Sequence, residues 1–147
     1  KVRGECRLVL RGRASDFADY SRELTARAAD DPRIDVGGPY ARHELAEVLA
    51  AIDVLVVPST WHENAPFVVL EARAAGLPVL ASRFGGLAEV VRHEVDGELF
   101  APGDVDDLAA RLQRLVDDPA RHRRYRDAVA QPKTLAAAVD EFEALYR

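Results

Sequence analysis

Two glutamates in one strand–loop–helix stretch are the residues of this chain whose type and spacing could do chemistry. Glu63 lies in the loop 59–65, and Glu71 follows eight positions later, inside the predicted helix 66–75. A carboxylate can accept two hydroxyl hydrogens at once, so Glu71 could hold the 2′ and 3′ hydroxyls of a ribose. Glu63 could then face a sugar that is joined to the nucleotide through a diphosphate.

Each glutamate also has an ordinary structural interpretation, which the sequence leaves open. Glu71 could form a salt bridge to Arg73 or Arg83, and on spacing alone this is the more frequent arrangement. Glu63 could be a solvated loop carboxylate or a charge partner for the start of the helix.

The start of the predicted helix is suited to a phosphate group. The first backbone N–H groups of a helix have no partner within it, and they lie at the positive end of the helix dipole. Here these groups belong to positions 64–68. A diphosphate could therefore be held there without a lysine.

Alternating strands and helices must position this loop. Strands are predicted at 7–10, 34–36, 53–57, 78–81 and 98–101. Helices are predicted at 16–29, 45–52, 66–75, 121–130 and 135–146, with a further helix capped by Asp104. This alternation predicts an α/β fold, in which helices cover both faces of a parallel sheet. The run 53–57 lacks polar alternation and is predicted to be the central strand, so the loop 59–65 falls where such sheets bind ligands.

Composition excludes several classes of protein. The chain has 147 residues, enough for one domain with a sizeable core, and its net charge of -5 argues against nucleic acid as a partner. Cys6 is the single cysteine, which is typical of a reducing, cytoplasmic setting. The four histidines are scattered without ligand spacing, so no metal is expected. Neither the dinucleotide-binding G-x-G-x-x-G pattern nor the P-loop pattern occurs.

Three stretches in fixed order carry a resemblance to a known family. The segments 58–82, 85–91 and 97–104 resemble the family 4 glycosyltransferases of the GT-B fold, also called group 1. The resemblance implies a Rossmann-like C-terminal domain, 1–147, that binds the nucleoside diphosphate sugar. It also implies a retaining enzyme that transfers a hexose-type sugar, with no cofactor.

The resemblance also implies roles for individual residues. Glu71 would bind the ribose, and Glu63 would be catalytic and lie near the donor sugar. The usual glycine after the first glutamate is Asn64 here, as in members of the family that contain E-N-x-P. The turn after the second strand would lie near the base. The remaining donor-binding positions implied in this way are Asn64, Ala65, Pro66, Phe67, Val68 and Tyr40.

One part of the family's pattern has no match in this chain. Its phosphate-contacting Arg and Lys sit in a glycine-containing loop before the strand that opens this sequence, and its acceptor-binding domain lies further N-terminal. We therefore expect a fragment that binds donor weakly and transfers nothing alone, with the N-terminal domain of the same polypeptide as a partner. Any membrane association would come through that missing part.

The sequence does not identify the acceptor, which could be a glycan, a lipid-linked molecule or a small molecule. The alternative is a non-catalytic nucleotide-binding or interaction module that keeps the same fold.

Overall fold

Parallel strands and helices alternate along the computed structural model, which describes residues 1–64 and 66–146. The strands are β1 (Leu8–Arg11), β2 (Ile34–Gly37), β3 (Leu55–Val57), β4 (Val79–Ser82) and β5 (Gly97–Phe100). The helices are α1 (Ala18–Ala28), α2 (Leu45–Ala50), α3 (Phe67–Ala74), α4 (Leu87–Val90), α5 (Val105–Asp117), α6 (Pro119–Ala128) and α7 (Leu135–Leu145). The predicted α/β class is confirmed.

Strand pairing divides the described strands into two parallel groups. β1 pairs with β2, and β3, β4 and β5 pair in that order. The prediction that 53–57 is the central strand is wrong, because β3 lies at one side of its group and β4 lies in the middle. All four residues of β4 are buried. An uninterrupted apolar run identifies a strand that is covered on both faces. Both β3 and β4 have such a run, so the pattern does not determine which of the two lies in the middle.

The core lies where α3 and α4 pack against β3 to β5. Val69, Leu80 and Leu87 have no exposed surface. The sequence of α3 is apolar nearly all round, which predicts a largely buried helix; in the structure Val69 and Ala72 are buried, whereas Phe67 is 75% exposed. One face of α3 packs on the sheet, and the opposite face stays open to solvent.

A buried carboxylate joins β5 to the two helices that follow it. Glu98 has no exposed surface and accepts hydrogen bonds from Arg111 Nη1 (2.9 Å) and the Tyr125 hydroxyl (2.8 Å). Burial by itself would raise the pKa of Glu98, but the hydrogen bonds from Arg111 and Tyr125 outweigh it and hold that pKa below its ordinary value. Within the described residues, no helix is both long and apolar enough to cross a membrane.

Candidate functional site

The loop that carries Glu63 leaves the sheet at the carboxyl end of β3. Because β3 and β4 are parallel neighbours, the segments after Val57 and after Ser82 emerge at the same edge. Ser59 is 9% exposed, and its hydroxyl donates to Glu63 Oε1 at 3.1 Å. This bond fixes one oxygen of a half-buried carboxylate.

The turn after β4 holds the same loop from the other side. The Gly86 N–H donates to the Glu63 carbonyl oxygen at 2.7 Å. The His62 and Phe84 rings pack with their centres 4.1 Å apart. The sequence leaves His62 open between contact with a ligand and a loop histidine without a catalytic role, and the ring contact shows that this side chain packs on the turn. Loop and turn therefore form one connected edge.

Helix α3 follows the loop and carries Glu71. The predicted first helical position, Pro66, is instead the residue that caps the helix: its φ and ψ are −72° and 94°, and its carbonyl accepts from Val69 N at 2.9 Å. Glu71 is half-buried and lies one turn after Phe67 on the same side of the helix. Since Phe67 is largely exposed, this side of α3 is accessible from solvent.

Neither arginine considered as a partner pairs with Glu71. The Arg73 guanidinium donates to the carbonyl oxygens of Val90 and Ala130 and lies 3.8 Å from Asp96. The Arg83 side chain is exposed. In residues 1–64 and 66–146, the Glu71 carboxylate has neither a hydrogen bond nor an ion pair, so the salt-bridge interpretation is not observed there.

The other implied donor-binding positions differ in exposure. Asn64 is exposed, Pro66 is buried and Val68 is half-buried, while Ala65 lies outside the described residues. Tyr40 follows β2, at the carboxyl end of the other strand pair, and is 38% exposed.

Sequence reasoning missed three residues that hold the Glu63 loop: Ser59, Gly85 and Gly86. A serine four positions before the glutamate, and a Gly-Gly pair that begins four positions after the end of a predicted strand, were the available signals. Both signals are common in loops without function, so neither identifies a site until the two segments are seen together.

A second group of polar side chains lies around Glu98. Potential ligand atoms of His93, Glu94 and Glu98 lie within 4.8 Å of one another. His93 Nδ1 accepts the Leu99 N–H at 3.0 Å, and the Arg111 guanidinium already neutralises Glu98. A metal ion would have to compete with this guanidinium for the same carboxylate, so we assign the group to fold stability.

The structure is a parallel α/β domain with a polar loop at the carboxyl edge of its strands, which is where open sheets of this kind bind ligands. The model of the family described as glycosyl transferases group 1 matches residues 1–131. The chain therefore belongs to the group 1 glycosyl transferases.

Similar proteins of this family are known from sequence and structure. A D-inositol 3-phosphate glycosyltransferase of Nocardiopsis dassonvillei is 40% identical over 136 residues, which are 89% of this chain and 30% of that protein. HepE of Anabaena in complex with UDP has a TM-score of 0.83 at 23% identity, over 99% of this chain and 42% of HepE. The HepE complex with UDP-glucose has a TM-score of 0.78 at 26% identity, over 96% of this chain and 37% of HepE. The structural neighbours are GT-B glycosyltransferases, and the chain spans less than half the length of these proteins.

Proposed function

We propose that this chain is the donor-binding half of a retaining glycosyltransferase that takes a hexose-type sugar from a nucleoside diphosphate. The observation that carries the proposal is the Glu71 carboxylate. It is half-buried, it has no partner in the part of the chain that the structure describes, and it follows the Glu63 loop at the carboxyl edge. HepE, which shares this fold, has been solved with UDP-glucose.

Glu71 serves to bind the ribose. A carboxylate without an internal partner loses hydration when it is half-buried, and two hydroxyl donors from one ligand restore its hydrogen bonds. Helix α3 is fixed by the burial of Val69 and Ala72, so Glu71 is held in place before the ligand arrives. A preformed position lowers the entropy cost of binding.

Glu63 binds the donor sugar in this proposal. Ser59 bonds Oε1, and Oε2 has no bond among the described residues, so one oxygen is left for a sugar hydroxyl. The backbone of Asn64 and of residues 66–68 lies next to the sugar and diphosphate in this arrangement. Catalysis then consists of stabilising the departing diphosphate charge rather than of attack by a protein nucleophile.

Transfer requires groups that have no match here. The family's Arg and Lys on the diphosphate and its N-terminal acceptor domain are not matched by any residue of this sequence. This chain alone therefore binds donor weakly and transfers no sugar, because charge stabilisation of the leaving group is incomplete. The acceptor, whether a glycan, a lipid-linked or a small molecule, is selected by the N-terminal domain. Detectable transfer by the 147-residue chain would contradict this part of the proposal.

The single tryptophan provides a direct binding assay. Trp61 lies two residues before Glu63 and is 64% exposed, so its fluorescence responds to a ligand at this edge. The 147-residue chain is titrated with UDP, GDP, ADP and UDP-glucose, and we expect a saturable change for one nucleotide class. Absence of any saturable change at millimolar ligand would favour the alternative, a non-catalytic module of the same fold.

A further inference from the structure

We propose that Gly86 is a positioning residue that fixes the Glu63 backbone for the donor sugar; this inference rests on the proposed function. Two segments meet at this contact. One is the turn formed by Phe84, Gly85 and Gly86, which we call the 84–86 turn, and the other is the loop segment 62–64. The turn follows β4, whereas the Glu63 loop follows β3.

Gly86 approaches the loop too closely for any side chain. A Cβ atom on Gly86 would lie 2.5 Å from the Asn64 carbonyl oxygen and 2.7 Å from the Glu63 carbonyl oxygen. Real Cβ contacts are essentially never below 3.0 Å, and both neighbours are backbone atoms that cannot rotate away. The loop itself must therefore move if Gly86 is replaced.

The backbone conformation does not explain a glycine at this position. Gly86 has a φ of −59° and a ψ of −19°, which every residue adopts in a helix. Gly85 differs, because its φ is 51° and its own Cβ would lie 3.1 Å from Glu63 N. The requirement for glycine at Gly86 comes from the contact with Glu63 and Asn64 alone, so substitution there tests the contact without adding backbone strain.

Displacement of this loop would affect the two ends of the donor differently. The Gly86 N–H holds the Glu63 carbonyl at 2.7 Å, so the Glu63 carboxylate moves with any shift of that carbonyl. Glu71 is fixed separately, through the burial of Val69 and Ala72. Misplacement of about 1 Å in a reactive group can cost on the order of 100-fold, so contacts to the sugar suffer while contacts to the ribose persist.

The test compares Gly86→Ala with Gly12→Ala, whose added methyl group meets no atom within 4 Å. The dissociation constants for UDP and UDP-glucose are measured by Trp61 fluorescence for both variants and for the unmodified chain. In Gly86→Ala we expect the ratio of the UDP-glucose to the UDP constant to rise about tenfold, because UDP keeps its contact with Glu71 and loses only contacts of its diphosphate with the displaced loop. Gly12→Ala should leave both constants unchanged. Equal weakening of both ligands, or an unchanged ratio, would overturn the inference.

A second measurement needs no variant. Amide hydrogen exchange in the unmodified chain should show a slow Gly86 N–H, because this group donates to Glu63. Exchange of the Gly86 amide as fast as that of an exposed amide would overturn the inference even if Gly86→Ala failed to fold. If the unmodified chain binds neither UDP nor UDP-glucose, the proposed function fails, and the exchange result then decides the loop contact separately.

Discussion

Replacement of Glu71 by alanine should weaken nucleotide binding strongly and leave folding almost unchanged. Hydrogen bonds to a charged acceptor contribute about 1.5–3 kcal/mol each, so two bonds to a ribose contribute about 3 kcal/mol at the lower end. Because Glu71 is only half-buried, water recovers part of this energy, and we expect the UDP dissociation constant to rise about 10- to 100-fold. The free energy of unfolding should change by less than about 0.5 kcal/mol, since Glu71 has no partner among the described residues.

The assay is titration with UDP, followed by Trp61 fluorescence. Glu23→Ala is the matched control: it removes a glutamate from helix α1 whose partner is the exposed Arg27, a pair of little energetic consequence. Glu71→Gln keeps one acceptor oxygen without the charge and should fall between the parent and Glu71→Ala. If Glu71→Ala binds UDP within about twofold of the parent, the assignment of Glu71 to the ribose is refuted.

Three further predictions concern stability and are checked by denaturant unfolding. Leu80→Ala should lower the free energy of unfolding by about 2–5 kcal/mol, because Leu80 is fully buried in β4; a loss below about 1 kcal/mol would contradict this packing. Asp104→Ala should cost about 1 kcal/mol, because the Asp104 carboxylate accepts the N–H groups of Asp106 and Asp107 at the start of α5; no loss would refute the cap. Glu98 has a lowered folded-state pKa, so its contribution is present above the unfolded value of about 4.3 and is lost as the pH falls through the folded value. Glu98→Gln should be less stable at neutral pH and should lose less stability on acidification, and an unchanged pH slope would contradict this.

Local signals in the sequence determined the element boundaries more reliably than the strand order. The start of α5 was predicted because Asp104 caps it within its own turn, and the structure confirms this cap. Helix α6 begins at Pro119, two residues before the predicted start, because Asp118 accepts the Arg121 N–H and Pro119 fits the first position. The place of β3 beside β4 depends on hydrogen bonds to distant strands, which an apolar run does not specify.

The candidate site also contains residues that the sequence identifies and contacts that only the tertiary structure reveals. Glu63 and Glu71 could be selected because their spacing lies within one loop and one helix. The contacts that hold Glu63 could not be predicted in full, because Gly86 reaches the loop only after β3 and β4 pair. The open side of α3, where Phe67 is exposed, also depends on tertiary packing, since the helix sequence is apolar nearly all round.

The most direct test of donor binding is amide chemical-shift mapping by NMR while the unmodified chain is titrated with UDP-glucose. We expect saturable shifts at Asn64, Phe67, Val68 and Glu71, and at Gly86 across its contact with the loop. Saturable shifts confined to another surface, such as the groove lined by Lys1, Arg3 and Gln113, would contradict it. So would the absence of any saturable shift at millimolar UDP-glucose.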